Sequence, residues 1–143
     1  MDSYIFATPT WFRVAVQALV VLAETDDACS STIIARELQA HATFLRRVMA
    51  QLVHAHIVVA REGREGGYRL ARPADSITLA EVYQAVKGFC QTEGTVAKET
   101  GNVCVQHTLE KIGTEVEQAL LTILGQYTIA SMMEHTLPSS HRS

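Results

Sequence analysis

The sequence has no long apolar run and little cysteine or proline. Its 143 residues include only three cysteines and three prolines, and the longest uninterrupted apolar stretch near the N-terminus is the six residues from Ala18 to Ala23. Because a membrane-spanning helix needs roughly 20 apolar residues, we expect no membrane partner. Three cysteines cannot all pair inside one chain, and the first residues lack the features of a secretory leader. We therefore expect a cytoplasmic protein whose thiols are mostly reduced.

The composition is that of one packed domain without the common catalytic motifs. Hydrophobic residues make up 48% of the sequence and charged residues 19%, which argues against disorder over most of the length. The sequence contains no glycine-rich phosphate loop, no serine, histidine and aspartate at catalytic spacing, and no His-Glu-x-x-His metal pair. We therefore expect a binding protein that is not an enzyme and holds no resident metal or cofactor.

The net charge of −3 conceals a basic segment. Between Arg36 and Arg72 lie seven arginines and three glutamates, a local charge of +4, and the three lysines of the chain all lie later. The planar guanidinium group of arginine matches phosphate groups and the edges of guanine. The segment therefore predicts double-stranded DNA as a partner, and a solvated arginine-rich surface is the alternative.

Apolar periodicity predicts three helices around the start of this segment. Apolar residues at spacings of three and four predict a first helix over 10–24, a short second helix, and a third helix that follows His41. The third helix has one apolar stripe and leaves Thr43, Arg46 and Arg47 on its other side. Two short helices in sequence, the second with outward arginines, indicate a helix-turn-helix.

A basic β-hairpin is predicted after the third helix. Two short β-prone stretches flank residues 62–67, whose glycines permit the positive φ angles of a tight turn. Arg61 and Arg64 would point outward there, where they could meet a DNA phosphate or a narrow minor groove. A helix-turn-helix followed by such a hairpin is a winged helix. A further helix, capped by Thr78, is expected to pack back on the first helix.

A long amphipathic helix is predicted in the C-terminal part, after a polar segment. It spans roughly 18 residues, or about 27 Å, and its apolar stripe is too extensive to stand alone beside a small domain. We expect the stripe to bury against the same helix of a second copy; packing within its own chain is the alternative. A short helix over 128–133 could cross to that copy. The stripe consists of Leu109, Ile112, Val116, Leu120, Ile123 and Leu124.

These patterns divide the chain into four parts. We predict a winged helix-turn-helix DNA-binding domain over 1–87, a sensor or linker loop over 88–107, dimerisation helices over 108–137, and a disordered tail over 138–143. The predicted fold is mainly α with a small β-hairpin, a winged helix-turn-helix joined to a long C-terminal dimerisation helix.

The wing and the helix after it carry a specific pattern. The string REGGYRLARP at 64–73, followed by DSITLAEVYQAV at 75–86, resembles the corresponding part of the Rrf2 family of bacterial winged-helix transcription regulators. Residues 44–52 resemble the recognition helix of that family, and the likeness extends over about residues 8–135. The resemblance implies a homodimer that is held by the long helix, binds a near-palindromic operator and usually represses transcription.

One branch of this family holds an iron-sulfur cluster through three cysteines and a histidine in the loop before the long helix. Cys104 and His107 match the last two of these ligands and Cys90 stands near the first, but no cysteine lies between Cys90 and Cys104. A cluster normally takes four ligands, mostly thiolates. We therefore expect no cluster, and an iron-sulfur-sensing regulator is the alternative.

The two cysteines that border the polar segment suggest a sensor. Oxidation or alkylation of Cys90 or Cys104 would be thiolate chemistry, and the helix N-terminus and His107 are groups that favour such chemistry. We predict a redox or electrophile sensor at these three residues, with an oxidant or a small effector as the signal. The alternative is that the cysteines are small buried hydrophobes. Cys29 is expected to be structural.

The predicted DNA contacts are of two kinds, residues that read bases and residues that neutralise phosphates. Bases in the major groove are read by an outward arginine near the start of a recognition helix, and Arg46 is the leading candidate. Phosphates are neutralised by arginines of the wing and of the first helix. A module of the same fold that binds only proteins is the remaining alternative. The predicted base-reading residues are His41, Thr43, Arg46 and Arg47, and the predicted phosphate-binding residues are Arg13, Arg61, Arg64 and Arg69.

Overall fold

In a computed structural model, the described residues form six α-helices and one two-stranded antiparallel sheet. The structure describes residues 9–64, 66–93 and 102–136, with backbone alone at 89–93 and at 135–136. The mainly helical winged-helix architecture expected from the sequence is confirmed. In chain order the elements are α1 (Thr10–Ala23), α2 (Ser31–Leu38), α3 (Ala42–His54), β1 (Val58–Arg61), β2 (Gly67–Leu70), α4 (Leu79–Glu93), α5 (Val103–Leu124) and α6 (Ile129–Thr136).

The core is built around α1. Ala15 and Leu19 have no exposed surface, because α3, α4, α6 and the wing strand β2 all pack against this helix. Aromatic rings connect it to α4: the ring centroid of Tyr83 lies 5.5 Å from that of Trp11 and 5.7 Å from that of Phe12. These contacts confirm that the helix after the wing packs back on the first helix.

The helix-turn-helix consists of α2 and α3. The hydroxyl oxygen of Ser30 caps α2 by accepting a hydrogen bond from the backbone N–H of Ile33 at 3.3 Å. Gln39 ends the helix in the left-handed region, with φ 54°, and the chain enters α3 directly afterwards. The inward stripe of α3 has no exposed surface and consists of Leu45, Val48, Met49 and Leu52.

A Schellman motif closes α3. The backbone N–H of His56 donates to the carbonyl of Val53 at 2.9 Å, and that of Ile57 donates to the carbonyl of Leu52 at 3.0 Å. The side chains of Leu52 and Ile57 are both buried, as is usual for this motif. His56 has φ 63°, a left-handed conformation that costs most residues roughly 1–2 kcal/mol and glycine almost nothing.

The wing is fastened to the loop before α2. Cys29 and Tyr68 exchange backbone hydrogen bonds of 3.0 and 2.8 Å, so that Cys29 extends the sheet by one bridge. Gly67 adopts φ 145°, and a Cβ at this position would lie 2.5 Å from the carbonyl oxygen of Cys29. Glycine is therefore required where the wing and the loop approach each other.

The helices on either side of the predicted loop are longer than expected. α4 continues to Glu93 and α5 begins at Val103, so both ends of the loop predicted over 88–107 are helical. The apolar stripe that predicts α5 begins only at Leu109. The start of the helix predicted from this stripe is therefore too late in the sequence. The middle of the predicted loop and the tail over 138–143 lie outside the described residues. None of the described helices combines the length and the apolar composition needed to cross a bilayer.

Helix α6 packs on the domain of its own chain. The backbone N–H of Leu79 donates to the carbonyl of Tyr127 at 2.9 Å, and that of Ile129 donates to the carbonyl of Ile77 at 3.0 Å. Ile129 has no exposed surface. Ile129 fills the core of its own chain beside α1, and crossing to a second copy stays a prediction. The packing of the domain predicted over 1–87 is completed by residues that follow α5.

His56→Gly is expected to stabilise the protein by about 1 kcal/mol, because glycine occupies the left-handed region without strain. Urea unfolding at a fixed protein concentration would measure the change. His56→Ala keeps the Cβ and is the matched control, for which no comparable gain is expected. A glycine variant no more stable than the alanine variant would contradict the assignment of strain to this residue.

Candidate nucleic-acid interface

The recognition helix α3 presents polar side chains opposite its buried stripe. Arg46 and Arg47 are exposed, and Thr43 is exposed one turn earlier. Residues three and four positions apart share a helix face, so these three side chains form one group. His41 is the N-cap residue of the helix and is also exposed. Arginines in this part of a recognition helix can reach base edges in a major groove.

A cleft of about 660 Å³ lies between α1 and the start of α3. It brings Arg13 of α1 together with His41, Thr43 and Arg47, four of the residues predicted as DNA contacts. Arg46 does not line it. Two arginines and a histidine around one concave surface attract anions, and a backbone phosphate beside the recognition helix would meet this surface.

The outward face of the wing is cationic. In the antiparallel register Val59 lies opposite Arg69, and Arg61 follows Val59 by two residues on the same strand. Successive side chains of a strand point to opposite faces, so these three share the face that is turned away from the core. Arg64 is exposed at the turn between the strands. The wing therefore carries three exposed arginines.

Arg72, in contrast, has a structural role. Its guanidinium donates to the carbonyl oxygen of Ser76 at 2.8 Å and forms an ion pair with the carboxylate of Glu81 in α4. This pair joins the end of the wing to α4. Arg72 belongs to the basic segment by sequence, but its charge is already matched within the protein.

The thiol of Cys29 is part of the core. It is almost fully buried, and burial, with a smaller contribution from the negative charge of Glu37, raises the pKa of the Cys29 thiol. Less thiolate means lower reactivity towards oxidants and electrophiles. These properties support the structural role expected for this cysteine.

Cys104 lies exposed in the first turn of α5. The side-chain oxygen of Asn102 caps this helix by accepting hydrogen bonds from the backbone N–H groups of Cys104 and Val105, at 2.8 and 3.2 Å. This cap was not predicted from the sequence, although asparagine before an apolar helix is a known start signal. His107 is exposed one turn after Cys104. The side chain of Cys90, the third predicted sensor residue, lies outside the described residues.

One face of α5 packs on its own chain. Lys87 of α4 forms an ion pair with Glu117, and both side chains are half-buried. Leu120 packs against the core, and Leu124 is buried within it. Leu124, predicted as part of a dimer interface, is therefore a core residue of its own chain, and Leu120 is shared between the core and the surface.

A second face of α5, about a quarter turn around the helix from the first, is apolar and exposed. The exposed fraction is 61% at Leu109 and Val116, 54% at Ile123 and 48% at Ile112. With their apolar neighbours on this face, these residues recur at alternating spacings of four and three, the repeat of a coiled-coil seam. We call this surface the α5 seam; it consists of Val105, Leu109, Ile112, Val116, Ala119 and Ile123.

Comparison with known sequences identifies related regulators. Residues 9–135 match a family model described as "Rrf2: Iron-dependent Transcriptional regulator". YwgB of Bacillus subtilis, named as an HTH-type transcriptional regulator, is 28% identical over 127 residues, which cover 84% of this chain and 80% of YwgB.

Solved structures with the same fold include two regulators. T. potens IscR has a TM-score of 0.71 and 20% sequence identity, over 97% of this chain and 94% of that protein. CymR, the global cysteine regulator of B. subtilis, has a TM-score of 0.67 and 19% identity, over 92% of this chain and 99% of CymR. At these identities the structural likeness concerns the fold, while the family model covers most of the sequence. The chain belongs to the Rrf2 family of transcriptional regulators.

Proposed function

We propose that this protein is a homodimeric DNA-binding repressor whose affinity for its operator is controlled by modification of a thiol. The observation that carries the proposal is the arrangement of arginines on α3, on the wing and in the cleft beside α3. Such a surface complements the phosphates and the groove of a duplex.

Arg46 is the proposed base-reading residue. It is exposed on α3 and does not line the cleft that Arg13, His41 and Arg47 share, so its guanidinium is available to guanine N7 and O6. The residues of the cleft are suited to holding a phosphate beside the groove. In this proposal Arg46 provides specificity for the operator sequence, and the residues of the cleft provide affinity for the DNA backbone.

The wing arginines are proposed to neutralise phosphates. Arg61 and Arg69 share the outward face of the hairpin, and Arg64 stands at its turn. Phosphate contacts carry no sequence information, but each one releases counterions and makes binding sensitive to salt. The wing therefore strengthens binding to any duplex.

A second copy of the chain is the proposed partner of the α5 seam. The seam residues lie symmetrically before and after Thr114 in the sequence. An antiparallel pair of α5 helices centred on Thr114 therefore places each seam residue opposite a seam residue of the second copy. The long side chain of Leu109 then faces the short one of Ala119, and Ile112 faces Val116. A parallel pair would set Ala119 against itself and leave a gap, which close packing disfavours.

The antiparallel arrangement determines where the DNA-binding surfaces lie. Because the C-terminal part of α5 packs on its own domain through Leu120 and Leu124, the two domains lie towards opposite ends of the helix pair. A two-fold axis then relates the recognition helices, as the half-sites of a near-palindromic operator require. A dimer that occupies such a site excludes other proteins from it, and this is the proposed basis of repression.

Cys104 is the proposed sensor. It is exposed in the first turn of α5, and in the antiparallel pair it lies at the level of Leu124 of the second copy, at one end of the seam. A peroxide oxidises the thiolate to a sulfenic acid and is itself reduced to water, and an electrophile forms a thioether. Either product adds a polar or bulky group where the dimer helix meets the partner's domain.

Iron is the alternative signal that the family description suggests. Cys104 and His107 share one helical turn, but no three possible ligands among His, Cys, Asp and Glu come together in the described part of the chain. An iron-sulfur cluster normally takes four ligands, mostly thiolates. The donors described here do not fit a cluster, and no step of the proposal passes through iron.

Arg46→Ala is expected to reduce the preference for an operator fragment, selected from a random duplex pool, by about 1–3 kcal/mol relative to random duplex. Arg61→Ala, which removes a phosphate contact, is the matched control. It is expected to weaken both duplexes equally and to lower the slope of log affinity against log salt by about 1. Competition gel shifts at several salt concentrations measure both effects.

Two outcomes of this experiment would count against the proposal. Unchanged discrimination by Arg46→Ala would remove its base-reading role. Wild-type protein without salt-dependent affinity for any duplex would instead favour a module that binds only proteins, because counterion release accompanies every protein–phosphate contact.

Ile112→Glu is expected to raise the dissociation constant of the dimer about 100-fold or more, because it places an unpaired charge in an apolar interface. Gln118→Glu adds the same charge to an exposed position of α5 outside the seam and is expected to leave the dimer intact. Sedimentation equilibrium at micromolar concentration measures both variants. Equal association of the two would show that the seam is not the interface.

Treatment with hydrogen peroxide or N-ethylmaleimide is expected to weaken operator binding of wild-type protein and of Cys29→Ser, but not of Cys104→Ser. Gel shifts before and after treatment measure this, and mass spectrometry is expected to find Cys104 modified before the buried Cys29. Binding that is equally affected in Cys104→Ser would exclude this residue as the sensor. Protein that is brown when purified without oxygen would support the iron-sulfur alternative.

A further inference from the structure

The exposed face of the recognition helix α3 has a short apolar side chain near its centre. Successive residues of a helix are about 100° apart around its axis, which places Ala50 only about 20° from Thr43. Arg46 and Arg47 lie to either side of it, and Ala50 is exposed. The buried stripe of α3 lies nearly opposite. A single methyl group is therefore flanked by two arginines on the surface proposed to face the DNA.

The four side chains of this face follow a spacing that occurs in DNA recognition. Counted from Thr43, the other three stand three, four and seven residues later. Side chains of the homeodomain recognition helix that contact bases in the major groove have the same spacing. The last of the four positions therefore lies within reach of base edges in the same groove, and in this chain it is occupied by Ala50.

The chemistry of the face favours some bases over others. Helix α3 contains no aspartate or glutamate, so it offers no carboxylate to accept a hydrogen bond from the amino group of cytosine. Arginine donates to N7 and O6 of guanine, and the methyl group of alanine packs against the 5-methyl group of thymine. The thymine methyl is the apolar group that a major groove presents, so the side chain of Ala50 matches thymine.

The short side chain of Ala50 also determines how closely α3 can approach the bases. Apolar groups are in contact when their heavy atoms come within about 4.0–4.5 Å, so the helix must lie deep in the groove for Ala50 to touch a thymine. Arg46 and Arg47 can adapt to that distance, because each side chain has several rotatable bonds. A longer side chain at position 50 would hold the helix away from the base pairs.

We propose that Ala50 is a specificity-determining residue that contacts the 5-methyl group of one thymine in each half-site of the operator. Ala50 follows Arg46 by four residues, which is about 6 Å along the helix, and base pairs are stacked about 3.4 Å apart. The thymine is therefore expected about two base pairs from the guanine that Arg46 contacts. The inference rests on the proposed function and adds one base to the sequence that the protein reads.

Replacement of thymine by uracil tests the contact, because uracil lacks only the 5-methyl group and pairs with adenine in the same way. An operator fragment is selected with wild-type protein from a random duplex pool, and each thymine is then replaced in turn. One thymine in each half-site is expected to lose about fourfold in affinity, the size of one buried methyl group. Competition gel shifts measure the ratio between the thymine and the uracil duplex.

Three variants assign the methyl effect to a side chain. Ala50→Gly removes the contact and is expected to bind the thymine and the uracil duplex equally. Thr43→Ser removes the neighbouring side-chain methyl, and Ala55→Gly makes the same substitution at the C-cap residue of α3, outside the face; both are expected to keep the wild-type ratio. Because the ratio compares two duplexes with one protein, the lower helix stability of Ala50→Gly does not affect it.

A second pair of bases separates the methyl group from the identity of the base pair. With 5-methylcytosine or cytosine in place of the responsive thymine, wild-type protein is expected to prefer the methylated duplex by the same factor. Ala50→Gly is expected not to distinguish the two. A preference for thymine over uracil that persists in Ala50→Gly would come from the shape of the DNA and would overturn the proposal. Loss of the preference in Thr43→Ser alone would assign the contact to Thr43, and this too would overturn it.

The outcomes also distinguish this inference from the proposed function. A selected operator whose affinity depends on no thymine methyl group would overturn the role of Ala50 and leave DNA binding in place. Wild-type protein that enriches no sequence from the pool would overturn both.

Discussion

The apolar surface of α1 must be buried, and the other elements of the fold pack around this helix to cover it. Its apolar side chains extend around most of the helix, so a single partner cannot cover it, and α3, α4, α6 and the wing strand each cover a part. Each large side chain buried in this way contributes about 1.5–3 kcal/mol. Because α3 and the wing rest on the same helix, these two elements are held in a fixed relation to each other.

The sequence predicts those parts of the fold that depend on local periodicity and turn chemistry. The amphipathic patterns of α1, α3 and α5 and the glycines of the wing are properties of short stretches, and they indicate the correct elements in the correct order. The family pattern in the wing identifies the family as well. The exposed arginines of α3 are also predictable, because one buried stripe determines which side chains of a helix remain outside.

The remaining features depend on contacts between distant parts of the chain. The packing of Ile129 beside α1 and the burial of Leu124 are decided by tertiary contacts, which helical periodicity does not encode. The cleft that joins Arg13 to Arg47 arises from the packing of α1 against α2 and α3. The ion pair of Arg72 with Glu81 likewise turns a member of a basic cluster into a structural residue.

The packing of α6 on its own chain makes the winged-helix domain discontinuous in sequence. Its core is assembled from residues before the long helix and from Ile129 after it, joined by backbone hydrogen bonds between the stretches around Ile77 and Tyr127. A fragment that ends before α5 would lose this closing segment and expose the apolar surface beneath it. The long helix is thus an insertion between two pieces of one folding unit, so a force on α5 acts on the domain core through the C-terminal end of the helix, at Leu124 and Tyr127.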